Sequence, residues 1–204
     1  IDPTVKNNIK KYIIYLKKSF KDRLTNNTWM DKTTKGLAIE KLEAIKEDIY
    51  ESKLTDYSTI NELTHIYYEN ISIINNFNFN IKIMLLKTKK KLFHGNVYNI
   101  NAFYDPTSNE IIFPYGILNP PYYYNNVTDY NVIAYNFGAI GSVIGHEIIH
   151  AFDDQGRLYD KNGNLNNWWQ PESNKKYNEL ADKIGLLYVK HNINPKLTMG
   201  ENIA

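Results

Sequence analysis

The sequence predicts an α+β protein, mostly helical, with a small antiparallel sheet packed on a bundle that contains an H-E-x-x-H helix. Three observations lead there. Apolar residues recur at spacings of three and four through most of the first ninety positions. Residues 97–104 then alternate as a strand does, ahead of a turn-forming segment. Residues 138–152 form a long apolar stretch interrupted by His146, Glu147 and His150. The expected division is a helical N-terminal segment, 1–90, followed by a core, 91–204.

Bulk properties permit this and exclude little else. The chain has 204 residues, 43% of them hydrophobic, enough to bury a sizeable core. Charged residues make up 23%, near the globular average, which argues against a disordered chain. A formal net charge of +2 selects no class of partner, and no motif supports a nucleic-acid role, so none is expected. There are no cysteines, so any metal must be held by imidazole and carboxylate. No segment reads as a signal peptide or a membrane span.

In order along the chain, the first helix is predicted from the stripe Ile9, Tyr12, Ile13, Leu16 and Phe20. A second starts at Asp31, a good N-cap, and is expected to run towards Ile49. Ala38, Leu42, Ile45 and Ile49 form its inner stripe, with Glu and Lys on the outer face. A third spans roughly residues 60–74, with Leu63, Tyr67 and Ile71 on one side. Residues 97–104 and 110–113 read as a hairpin around Asp105-Pro106-Thr107-Ser108-Asn109, and the Pro-rich 114–124 stretch as irregular.

The chemistry lies in His146-Glu147-Ile148-Ile149-His150. Residues four apart share a helix face, so two imidazoles can reach one metal ion. Glu147, pointing slightly aside, can accept a proton from a water that the metal polarises. By chance this pattern arises in fewer than about one in a hundred chains of such length. A core helix with two satisfied histidines is the alternative, costly unless each polar group is paired. A tetrahedral site needs a third protein ligand. The spacing for a nearby histidine is absent, which leaves His191 and, as the better candidate, Glu201 in Gly200-Glu201-Asn202-Ile203-Ala204. Asp153 and Asp154 fall near the metal-facing side, where either can orient an imidazole or simply end the helix. His65 and His94 have no spacing partner.

Further motifs surround this one: Asn101-Ala102-Phe103-Tyr104, Phe113-Pro114-Tyr115-Gly116-Ile117-Leu118-Asn119-Pro120-Pro121, the block from Val143 to Arg157, Trp168-Trp169, and upstream Trp29-Met30-Asp31 with Thr34. Together, and in this order, they resemble the neprilysin family of zinc endopeptidases. The resemblance implies a thermolysin-like zincin core with one Zn2+ per chain, bound by His146, His150 and Glu201, and Glu147 as general base. It implies that Asn101 and Ala102 hydrogen-bond the backbone of a peptide substrate added as a strand. Ile117, Tyr122 and Val143 would line an apolar substrate pocket, although plain core remains the other reading of Ile117 and Val143. Relatives are often membrane-anchored or secreted, and some bacterial ones are intracellular.

The sequence departs from the family after Ala204, where a following Asp and a later His and Arg are expected. The chain is therefore expected to be a fragment, with the remainder of a parent peptidase as its partner. Losing oxyanion donors costs roughly two to three orders of magnitude in rate. The alternative function is thus a zinc-binding, catalytically impaired peptide-binding module. Intact Glu147 speaks against it, since such a module has no need of the base.

Overall fold

The computed structural model describes residues 2–50, 60, 63–88 and 96–204. These fall into two compact units. One combines Ile1–Tyr50 with Tyr98–Ala204, and the other is Glu51–Val97.

The first unit begins with α1, Pro3–Thr25, whose N-cap Asp2 accepts from the Thr4 N–H at 2.8 Å and whose first residue is proline. Its inner face buries Val5, Ile9, Tyr12 and Ile13, and Leu16 and Phe20 pack on the same core. Helix α2, Lys32–Glu43, is capped by Asp31, which accepts from the N–H groups of Thr33 and Thr34 at 2.8 and 2.9 Å. The helix stops earlier than its stripe suggests. Ala44 is the C-cap, and Lys46–Tyr50 is strand β1. Ile45 and Ile49 are still buried, at 3% exposure each. Four is one helical turn and also an even number, so that pair shares a face in either structure, and spacing alone misassigns it.

Strands β2, Phe103–Asp105, and β3, Glu110–Pro114, form the expected antiparallel hairpin, with Phe103 opposite Ile112 and Asp105 opposite Glu110. In its turn the Asp105 carboxylate accepts from Thr107 N–H, Thr107 Oγ1 and Ser108 Oγ. The strand is shorter than residues 97–104 predict: β3 ends at Pro114, where the chain turns into a 3-10 segment, Tyr115–Ile117, so the ladder has no β3 residue opposite residues 97–100. The sheet also corrects the all-antiparallel expectation. Strand β1 joins β3 in parallel, giving a mixed three-stranded sheet in the order β1-β3-β2. The fold remains mostly helical α+β.

Helices α4, Tyr130–Gly138, and α5, Ile140–His150, follow, broken at Ala139 with φ −96° and ψ −92°. By length and composition Tyr130–His150 could cross a membrane, but it is two helices rather than one, broken at Ala139. In α5, Ile140, Ile144 and Ile148 recur every four residues and are 0–1% exposed. Each such burial contributes roughly 1.5–3 kcal/mol. Together they fix the rotation of the helix, so His146 and His150, two positions on and about 200° around, face away from the core. Helices α6, Pro171–Val189, and α7, Met199–Ile203, complete the unit.

The second unit contributes helix α3, Tyr67–Thr88. It overlaps the expected 60–74 helix only from Tyr67 and extends well beyond it. Leu63 lies before it, exposed, next to a cap in which Thr64 N–H donates to Asn70 Oδ1 at 2.7 Å. Most of residues 51–62 and His94 lie outside the described residues.

Candidate metal centre and active site

Helix α5 presents His146 and His150 on one face, their ring centroids 4.5 Å apart and nearly perpendicular. Their Nε2 atoms are 3.0 Å apart. Helix α7 brings Glu201 to the same point, with Oε2 3.2 Å from His146 Nε2 and 3.7 Å from His150 Nε2. Donors about 2.0–2.2 Å from a tetrahedral zinc ion lie about 3.3–3.6 Å from one another. The three observed separations bracket that range, and two imidazoles with one carboxylate are a zinc-type donor set, so these residues fit the ion. They form the one candidate metal cluster among the described residues. His191 lies outside it, exposed in the turn after α6.

Glu147 is 4% exposed. Burial pushes its carboxyl up to about 7; His150 draws it down and Glu201 pushes it further up. A dication at the three donors would draw it lower. His150 Nδ1 lies 2.7 Å from Asp153 Oδ2, and this hydrogen bond raises the imidazole pKa against the opposing pull of burial.

Asp153 is itself held. Its Oδ1 accepts from the N–H groups of Gln155 and Gly156 at 2.9 and 2.6 Å. Only glycine fits at 156, because a Cβ there would sit 1.8 Å from the His150 carbonyl oxygen. Asp154 points one oxygen at Gln155 Nε2, 2.9 Å away, and buries the other, Oδ1, with no hydrogen-bond partner. It makes no hydrogen bond to either imidazole.

A cleft of about 690 Å³ opens over these groups, lined by Asn101, Ala102, Phe103 and Tyr104 on one side and by the α5 and α7 residues on the other. Asn101 is exposed and its Oδ1 accepts from the Ala102 N–H at 3.0 Å. The pair immediately precedes β2, an edge strand of the sheet. Ile117, Tyr122 and Val143 do not line this cleft. Ile117 is in the core at 3% exposure, Val143 packs against that core, and Tyr122 is 38% exposed.

Trp168 and Trp169 lie under the loop that follows α5, donating to the carbonyls of Tyr159 and Arg157 at 3.0 and 3.2 Å. Sequence reasoning missed one residue of this neighbourhood. The sequence puts the lysines of α2 on its outer face, yet Lys41 is 1% exposed and reaches the same loop. The available signal was its position, three after Ala38 and next to Leu42 on the buried stripe.

A family model described as "Peptidase family M13" matches residues 101–204, half of the chain, and a second with the same description matches residues 1–51. Neprilysin-3 of Drosophila melanogaster is 39% identical over 207 residues, covering 94% of this chain and 26% of that protein. Endothelin-converting enzyme 1 of Homo sapiens is 36% identical over 210 residues, with 94% and 26% covered. Among solved structures, the zinc metalloprotease Zmp1 of Mycobacterium tuberculosis in complex with inhibitor superposes with a TM-score of 0.79 at 30% identity, covering 98% of this chain and 32% of that one. PepO from Lactobacillus rhamnosis gives 0.78 at 28%, with 97% and 32% covered. The chain thus spans about a quarter of the length of these curated relatives and about a third of the solved chains. The motifs, the fold and the matched family models agree: the chain belongs to peptidase family M13, the neprilysin family.

Proposed function

We propose that this chain carries the metal site and general base of a zinc-dependent metalloendopeptidase that hydrolyses peptide bonds in oligopeptides. The observation that carries this reading is the convergence of His146 Nε2, His150 Nε2 and Glu201 Oε2 at 3.0–3.7 Å beside a buried Glu147, at the floor of an open cleft.

His146, His150 and Glu201 would hold the ion, which when bound lowers the pKa of water and polarises the substrate carbonyl. Glu147 accepts the proton of the attacking water on its carboxylate and passes it to the leaving amine. Burial raises its pKa and a bound dication would lower it, opposing pulls that suit a group that must take and return a proton. Asp153 keeps the His150 ring in place through Nδ1, which leaves Nε2 directed at the ion. Asn101 and Ala102, just before the edge strand β2 on the cleft wall, offer backbone and amide groups to an extended peptide, which fits a substrate bound as an added strand.

The test is made on the full-length parent protein. Purified protein should contain about one zinc per chain, removable by chelator with loss of peptide hydrolysis. Glu147→Gln should keep the zinc and lower turnover by about two to four orders of magnitude. A metal-free parent, or a Glu147→Gln variant with full turnover, would overturn the reading.

A further inference from the structure

Lys41 is buried at 1% exposure, yet it is a charged residue on a helix that contributes no group to the cleft. Its ammonium donates to the Gly156 carbonyl at 2.7 Å and to the Tyr159 carbonyl at 2.6 Å. The faces of Phe152 and Trp168 lie 5.7 and 5.8 Å from the nitrogen. Burial lowers its pKa to about 8, and the fields of Asp153 and Asp160 oppose that shift. Burying an ammonium is expensive, and a Met or Leu of similar volume would fill the same space without that cost.

What the ammonium grips explains its presence. Gly156 is the residue whose N–H holds Asp153 Oδ1 at 2.6 Å, and the other oxygen of Asp153 holds His150 Nδ1 at 2.7 Å. Gly156 also packs directly against the His150 carbonyl, with no room for a side chain between them. A continuous chain of short hydrogen bonds therefore runs from α2 through Gly156 and Asp153 to the imidazole.

We propose that Lys41 is a positioning residue for the metal centre, clamping Gly156 so that Asp153 holds the His150 ring at the angle the ion requires. The proposal rests on the reading that His146, His150 and Glu201 bind zinc. It assigns a site role to a residue of the N-terminal half that never touches metal or substrate. Lys41→Met nearly keeps the volume of the side chain, one atom shorter, and removes the charge and the donors to the Gly156 and Tyr159 carbonyls.

The experiment measures zinc affinity of the full-length parent by chelator competition, and the visible absorption of its cobalt(II)-substituted form, which reports ligand geometry. Lys41→Met should weaken zinc binding about tenfold or more, the lower end of what losing a supporting partner costs, and should shift the cobalt bands. In an Asp153→Asn background the same substitution should cost little more, because both act through one chain of bonds. Additive losses, or an unchanged affinity and spectrum in Lys41→Met, would reduce Lys41 to a packing residue and overturn the proposal. Should Lys41→Met fail to fold, Lys41→Gln, which removes the charge but keeps a shorter amide donor in the slot, is read the same way. Failure of both to fold would also overturn it. A parent that binds no zinc would remove the functional reading and this proposal together, whereas zinc-loaded parent with unchanged variants removes this proposal alone.

Discussion

His150 has both ring nitrogens committed, and that sets how the site responds to acid. Nδ1 is bound to Asp153 at 2.7 Å while Nε2 faces His146 and Glu201. The Asp153 hydrogen bond raises the imidazole pKa above its ordinary value of 6.5. In the metal-free protein this raised value contributes stability below the unfolded pKa, and the contribution fades as pH rises through the folded one. For the metal the sign reverses, because a ligand must be neutral, so protons compete with zinc from above pH 6.5 downwards. Zinc affinity, titrated from pH 8.5 to 5.5, should therefore begin to fall while the solution is still near neutral. Asp153→Asn should bring that onset to lower pH and weaken zinc by roughly 10–100-fold at pH 8. An unchanged affinity there would show that Asp153 only caps the helix.

At the scale of elements, the site depends on how closely α7 approaches the loop after α5. Gly200 sits where a Cβ would meet Asp153 Oδ2 at 3.1 Å and Asp154 Oδ1 at 3.3 Å. The first of these oxygens is the one that holds His150. Gly200→Ala therefore pushes a methyl group against the carboxylates and moves Glu201, the next residue, by a few tenths of an ångström. Overpacking of this kind costs about 1–3 kcal/mol. The expected result is weaker zinc binding with a smaller change in thermal midpoint, read by chelator competition and calorimetry. Equal zinc affinity in variant and parent would mean that α7 adjusts freely. The elements themselves follow ordinary local rules. Asp2 and Asp31 cap α1 and α2, and the isoleucines of α5 turn its histidines outward.

At the scale of the molecule, residues far apart in sequence close one unit. Asp31 caps α2 and also accepts from Ser173 Oγ on α6, while its own N–H donates to that oxygen at 2.8 Å. Thr34 Oγ1 accepts from the Gln170 N–H at 3.0 Å. Burial pushes the Asp31 carboxyl up, but the hydroxyls of Ser173 and Thr34 and the N–H groups of Thr34 and Thr33 outweigh it and bring the pKa to about 2. A depressed carboxylate contributes stability above its unfolded pKa, near 3.8, and loses it as pH falls through the folded value. Asp31→Ala should lower the thermal midpoint of the parent at pH 7, with about 0.5–2 kcal/mol for the cap alone. The gap between variant and parent should narrow as pH drops from 5 to 2. A gap that stays constant over that range would show that the carboxylate charge plays no part.

The sequence by itself determined what depends on local spacing. His146 and His150 are one turn apart on any helix, Asp31 before a polar-apolar repeat is an N-cap, and a Pro-Thr-Ser-Asn run between alternating stretches is a turn. The neighbouring motifs made the family legible before any coordinate. Only the tertiary structure decided what depends on where distant segments meet. Ile45 and Ile49 are compatible with helix or strand until β3 offers β1 a partner. Ile117 and Val143 have the composition of a pocket or a core, and only the structure shows the first buried and the second packed against the core. Lys41 looks like a solvated cation until Gly156 and Tyr159 arrive from more than a hundred residues away. Spacing is a property of one segment, whereas burial and pairing are properties of two, and the second segment is not written into the first.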